Sequence, residues 1–155
     1  MEIRQARQQD APALARMRWN LRMHDQPIDP AVYPDYEARF LAFLSDALAS
    51  GRWTIWLVEH EGRIAAHAYV QIIEKVPRPG ALDQCFGYVT NVYALPEARN
   101  QGVGSRLLAH VIDWAKGQQL EFLILWPSER SVPLYQRIGF AAPADALELI
   151  LEESD

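Results

Sequence analysis

The chain has 155 residues, 50% hydrophobic and 23% charged, which leaves room for one domain on the usual scale of roughly 100–200 residues and excludes both a multidomain assembly and a disordered chain. A net charge of −5 argues against a nucleic-acid partner, because phosphate binding draws on a surplus of lysine and arginine. One cysteine, Cys85, permits no internal disulfide or cysteine-based zinc cluster, and His24, His60, His67 and His110 never fall at metal-ligand spacing, so no metal is expected.

Apolar runs such as 122–126 fall far short of the ~18 residues needed to cross a bilayer, and Glu2, Arg4 and Arg7 interrupt any secretion signal. A cytoplasmic protein without a membrane partner is expected. No repeat, low-complexity tract or linker divides the chain, which reads as a single domain over 1–155. A short apolar-polar start at 3–6 precedes a helix that Asp10 can cap, with Leu14, Met17 and Leu21 on one face. A turn-rich stretch over 25–34 leads into a second helix carrying Tyr36, Phe40, Phe43, Leu44, Ala47 and Leu48 and closed by Gly51. Residues 53–59 and 64–74, rich in β-branched and aromatic types, form a hairpin across Glu61-Gly62.

An irregular loop begins at 77–80, and 86–94 reads as the next strand, followed by a loop over 95–101. The helix beyond it carries the stripe Leu107, Leu108, Val111, Ile112 and Ala115 and stops at Gly117. The nearly all-apolar run 120–126 reads as a buried strand, parallel to the one before the helix. A short helix at 131–138, stopped by Gly139, and a terminal strand at 146–151 complete a mixed α/β chain. The tryptophans at 19, 53, 56, 114 and 126 mostly fall in apolar-periodic elements, where burial is the default.

The informative stretch is Arg99-Asn100-Gln101-Gly102-Val103-Gly104-Ser105, between a strand and an amphipathic helix. Two glycines two residues apart let the backbone turn tightly and approach a ligand, so several N–H groups can converge on an anion at the helix's positive end. Each charge-assisted hydrogen bond there contributes about 1.5–3 kcal/mol and the helix terminus roughly 0.3–1, so the hydrogen bonds dominate. Neither the lysine of an ATPase phosphate loop nor the third glycine of a dinucleotide fingerprint is present.

In these residues the chain resembles the GCN5-related N-acetyltransferase family, whose Arg/Gln-x-x-Gly-x-Gly/Ala signature matches Arg99, Gly102 and Gly104. The run Val89-Thr90-Asn91-Val92-Tyr93-Ala94 and Leu95-Pro96-Glu97 is similar to that family's fourth strand and its exit. The run from Ser128 through Tyr135 to Gly139-Phe140 is similar to its closing block. The close match spans about 88–140; the front half agrees in element order only.

The resemblance implies an acyl-CoA N-acyltransferase fold, a mixed central sheet with strands 4 and 5 splayed apart and helices on both faces. It implies acetyl-CoA as cosubstrate, with the pantetheine arm against the backbone of Val92, Tyr93 and Ala94 as a surrogate strand. Arg99, Asn100, Gln101, Gly102, Val103, Gly104 and Ser105 then form the pyrophosphate cradle, and Ser128 stands where the family often has asparagine, still able to cap the helix after it. Tyr135 matches the family tyrosine near the coenzyme sulfur, a positioned acid for the departing thiolate.

The reaction implied is direct transfer of acetyl to a primary amine of a small molecule or peptide; the alternative is a non-catalytic acyl-CoA sensor, suggested by a fourth strand offering Tyr88, Thr90 and Asn91 but no acid. Glu74 and Asp83 are the carboxylates adjacent in sequence, and both read as solvated. His67 reads as a hydrogen-bonded core residue, and no neighbour activates Cys85 as a covalent carrier. The acceptor site is placed by resemblance at 19–33 and 77–86. Monomer and homodimer are both left open.

Overall fold

The computed structural model describes residues 1–152. Its elements run β1 (Glu2–Gln5), α1 (Ala11–Asp25), α2 (Tyr33–Ser50), β2 (Trp53–His60), β3 (Arg63–Glu74), β4 (Cys85–Ala94), α3 (Val103–Gly117), β5 (Leu123–Ile124) and α4 (Val132–Arg137). The strands form one sheet in sequence order, β1 to β4 antiparallel and β5 parallel to β4. The hairpin between β2 and β3 turns on Glu61 and Gly62, both at positive φ, the two-residue geometry that matches strand twist.

Strand alternation sends two sets of side chains to opposite faces. Trp56, Val58, Ala66, Ala68, Val70 and Val89 meet Val103, Leu107, Leu108 and Val111 of α3 and Tyr135 of α4. Ile55, Leu57 and Tyr69 meet Ala11 and Leu14 of α1 and Leu44 of α2. Helices therefore cover both faces, as expected. That is why β2 and β3 carry nearly continuous apolar runs rather than polar alternation. Trp19 and Trp56 are buried, whereas Trp126 lies 62% exposed at the sheet edge.

Asp10 stands immediately before α1, yet its carboxylate does not cap that helix. It closes a preceding 3₁₀ turn (Gln8–Asp10) and reaches backward, accepting from the Arg7 N–H at 2.7 Å and from two Arg4 N–H groups at 2.9 Å each. Arg4 also donates to Glu59 at 2.8 Å, which ties β1, β2 and the start of α1 together. The terminal strand expected at 146–151 is absent. The leucine alternation that suggested it is present, but a strand needs a ladder partner, and these residues pass β5 unpaired with Leu147, Leu149, Ile150 and Leu151 exposed. A hydrogen bond from Trp126 Nε1 to Glu148 holds the segment at 2.8 Å. No helix among the described residues is long and apolar enough to cross a membrane.

Gly87 sets the approach of β4 to β5. A Cβ there would stand 2.6 Å from Leu123 Cδ2 and 3.0 Å from Val70 Cγ1, closer than packed atoms tolerate. Gly87→Ala is expected to destabilise the fold by about 1–3 kcal/mol, the usual cost of overpacking, read as a lowered urea midpoint at unchanged slope. An unchanged midpoint would show that β5 yields freely.

Candidate functional site

β4 pairs with β3 along its length but with β5 only at Gly87–Leu123 and Tyr88–Ile124. Beyond Tyr88 the two parallel strands part, and the edge of β4 from Val89 to Ala94 has no strand partner among the described residues. This corrects the strand expected over 120–126, which contributes only two ladder residues because its neighbour diverges. The divergent stretch contains a bulge: His67 faces Tyr93 and Tyr69 faces Thr90, so Ala68 lies opposite both Asn91 and Val92. Asn91 takes φ 49°, a left-handed conformation that asparagine tolerates better than most residues.

The chain leaves β4 through a 3₁₀ turn at Pro96–Ala98, and the start of α3 is built from two left-handed residues, Asn100 at φ 60° and Gly102 at φ 73°. Gly102 is the N-cap and α3 has no side-chain cap, so the N–H groups of Val103, Gly104 and Ser105, which by helix geometry lack intrahelical partners, meet no capping side chain. Val103 drives its side chain into the core at 2% exposure, which anchors the first turn and leaves only its N–H to offer. Gly104 is not required by the protein itself: a Cβ there would meet only Leu134 Cδ2 at an ordinary 3.8 Å. Leu134 of α4 thus lies beside the first turn of α3.

Two cradle side chains turn back onto backbone carbonyls of the preceding segment. Arg99 Nε donates to the Ala94 carbonyl at 3.0 Å, with its guanidinium carbon 5.4 Å from the Tyr93 ring centre, and Gln101 Nε2 donates to the Glu97 carbonyl at 2.8 Å. They brace the loop between β4 and α3. Ser128 does not cap α4 through its hydroxyl, which lies 3.0 Å from that of Ser131. Its carbonyl instead accepts from the N–H groups of Ser131 and Val132, at 3.0 and 3.2 Å.

Tyr135 projects from α4, 8% exposed, with its ring edge-on to Phe140 at 5.7 Å. Together with Leu123, Leu125, Pro127 and Val132 it lines a cleft of about 840 Å³ to which neither the β4 edge at 92–94, nor the loop at 99–105, nor Ser128 contributes. Burial raises its phenol above the ordinary value of 10. The gap to a coenzyme thiol near 8.5 therefore widens, and the group is better suited to donating a hydrogen bond to a developing thiolate than to surrendering its proton outright.

In the segment at 19–33 only Trp19 is buried, and residues 24–27 and 29–32 are exposed. Trp19 is buried against Tyr33 and Tyr36, at 5.0 and 5.4 Å between ring centres, and Arg16 lies 3.7 Å over the Tyr33 ring. Glu74 and Asp83 are exposed at the end of β3 and in the loop after it. His67 lies in the core, as its strand position suggested, with burial pushing its pKa down to about 4. Its partner Asn91, in sequence one of three β4 residues that offer no acid, is the residue type that tolerates the left-handed backbone of a bulge.

The Acetyltransferase (GNAT) family matches residues 16–140. A curated relative named glucosamine 6-phosphate N-acetyltransferase, from Trypanosoma brucei brucei, is 30% identical over 90 residues, and the match spans 58% of this chain and 59% of that protein. Among solved structures, a predicted acetyltransferase with acetyl-CoA from Clostridium acetobutylicum superposes with a TM-score of 0.78 at 26% identity, covering 97% of this chain and 96% of that one. A GCN5-related N-acetyltransferase from Ralstonia eutropha gives 0.76 at 25% identity, covering 97% and 99%.

Proposed function

The chain belongs to the GNAT acetyltransferase family, and from that premise we propose that residues 1–155 act as one domain that moves acetyl from acetyl-CoA to a primary amine of a small molecule or peptide. The amine attacks directly within a ternary complex. The observation that carries the reading is the succession of two backbone surfaces, the edge of β4 that no strand covers, with its Ala94 carbonyl held by Arg99, and the uncapped first turn of α3, with Tyr135 on the adjoining helix. A pantetheine amide and a diphosphate are the groups that complete such surfaces, the first as a surrogate strand and the second at a helix N-terminus. The solved relative holding acetyl-CoA supports the same choice.

When bound, acetyl-CoA supplies a thioester activated toward acyl transfer. The N–H groups of Val103, Gly104 and Ser105 hold the diphosphate, with Asn100 and Gly102 shaping the turn and Arg99 and Gln101 bracing it. The backbone of Val92, Tyr93 and Ala94 orients the arm, Ser128 fixes the entry to α4, and Tyr135 donates a hydrogen bond to the sulfur as the C–S bond breaks. An acceptor of pKa near 10.4 is neutral in only about one part in 10³ at pH 7, a handicap of roughly 4–5 kcal/mol. β4 offers Tyr88, Thr90 and Asn91 here and no carboxylate to relieve it, so no residue is assigned as base. That lack also favours a second reading, an acyl-CoA sensor without turnover.

Release of free thiol from acetyl-CoA in the presence of an amine panel separates the two. Turnover is expected, and Tyr135→Phe should slow it by roughly 10- to 100-fold while leaving acetyl-CoA affinity unchanged, since one positioned donor is lost only where charge develops. Saturable binding with no thiol release on any amine would favour the sensor. A variant as fast as the wild type would remove the role given to Tyr135.

A further inference from the structure

The bulge in β4 is gripped from two sides. The Asn91 carbonyl lies 2.8 Å from His67 Nδ1, and the Asn91 side-chain oxygen accepts from Arg18 Nη1 at 3.1 Å. A carbonyl can only accept, so Nδ1 carries the hydrogen and Nε2 of the neutral ring is a bare lone pair. His67 has no exposed surface, and Nε2 meets no hydrogen-bond partner in the protein. The ring stands edge-on to Tyr69 at 5.3 Å and tilted against Tyr93 at 5.8 Å. Leucine would fill such a site without stranding Nε2, but it would leave the Asn91 carbonyl without its donor. What histidine adds is one N–H aimed at the single left-handed residue of β4, one residue before the segment Val92–Ala94.

We propose that His67 is a positioning residue: by donating Nδ1–H to the Asn91 carbonyl it fixes the β4 bulge, and with it the direction of the Val92–Ala94 edge that no strand covers, on which the acetyl thioester is aligned. The inference rests on the acetyltransferase reading for its kinetic consequence, but the hydrogen bond and the bulge are properties of the free protein. Because the pyrophosphate cradle lies on α3, away from this contact, loss of the N–H should misalign the thioester without releasing the cofactor.

The test compares wild type, His67→Leu and His67→Asn, in acetyl-transfer kinetics, calorimetric titration with acetyl-CoA and backbone carbon NMR shifts of Asn91. The leucine variant removes the donor, and kcat should fall roughly 10- to 100-fold, the scale of a misplacement near 1 Å, with the acetyl-CoA Kd changed by less than about 3-fold. The asparagine variant places an amide N–H where Nδ1 stood and should recover most of kcat, with Asn91 shifts returning to their left-handed values. Wild-type kcat in the leucine variant, or an asparagine variant as slow as leucine, would overturn the proposal.

If the leucine variant does not fold, Asn91→Gly and Asn91→Ala decide instead. Both lose the Arg18 contact and only glycine adopts positive φ freely, so glycine should outpace alanine by about 10-fold, and equal rates would count against the bulge. A wild type that binds acetyl-CoA but acetylates no amine would sink the acetyltransferase reading alone. The Asn91 shifts would then still judge the clamp: unchanged in the leucine variant, they refute it.

Discussion

Gly104→Glu is expected to abolish the thermal shift given by coenzyme A while raising the melting temperature of the ligand-free protein. A ligand that binds only the folded state stabilises it by about 2.7 kcal/mol at 100 times its Kd, which for a domain of this size is a shift of roughly 5–10 °C. A glutamate at 104 sets a fixed negative charge and a three-carbon side chain where the first-turn N–H groups would meet a diphosphate, so that shift should vanish. In the free protein the same change is favourable. Glycine is a poor helix former, an acidic side chain in the first turn complements the helix dipole, and the new Cβ meets only Leu134 at 3.8 Å. Together these give about 1 kcal/mol, or ~2–4 °C. The two effects have opposite signs, which guards against mistaking general damage for a lost site. A persisting coenzyme shift would remove the cradle, and a melting temperature several degrees below wild type would show that Gly104 serves the fold.

Acidification from pH 7 to pH 4 should cost about 3 kcal/mol of stability through His67 alone. Burial is the main cause of its depressed pKa of about 4; the positive Arg18 adds to the shift and the Asn91 carbonyl opposes it. The unfolded chain takes up this proton near pH 6.5 and the folded chain only near pH 4. Between those values the unfolded state binds more protons, and stability falls as pH falls. The contribution is complete above pH 6.5 and lost at about pH 4. Asp10 acts in a lower window: the Arg4 guanidinium holds its carboxyl below the ordinary 3.8, so its contribution disappears only as pH falls through that depressed value. Urea midpoints at pH 7, 5.5 and 4 for wild type and His67→Asn should show the upper limb in the first protein and a nearly flat line in the second. Parallel slopes would mean that His67 does not carry the proton linkage.

Element order was legible because its signals are local. Glu61-Gly62 turns a hairpin and Gly51 ends a helix at φ 69° whatever surrounds them, and the stripe from Leu107 to Ala115 has a face to bury in any context. The cradle was legible for the same reason: 99–105 are contiguous, and two glycines before an amphipathic helix carry their own geometry. The C-terminal strand failed because alternation of Leu147, Leu149 and Leu151 states only a preference, while a strand exists by virtue of its partner. Gly87 was unremarkable in sequence, since the atoms that exclude a side chain there belong to Val70, Leu120 and Leu123.

What the sequence by itself determined was the family, the order of helices and strands as far as α4, and the loop that presents N–H groups at the start of α3, all written in residues near one another along the chain. Only the tertiary structure decided where β4 and β5 part, that Asp10 serves Arg4 and Arg7 rather than α1, and that His67 on β3 holds Asn91 on β4. Those contacts join residues that the chain separates, several of them by tens of positions, and their energy comes from burial and hydrogen bonding that exist only once the layers have closed.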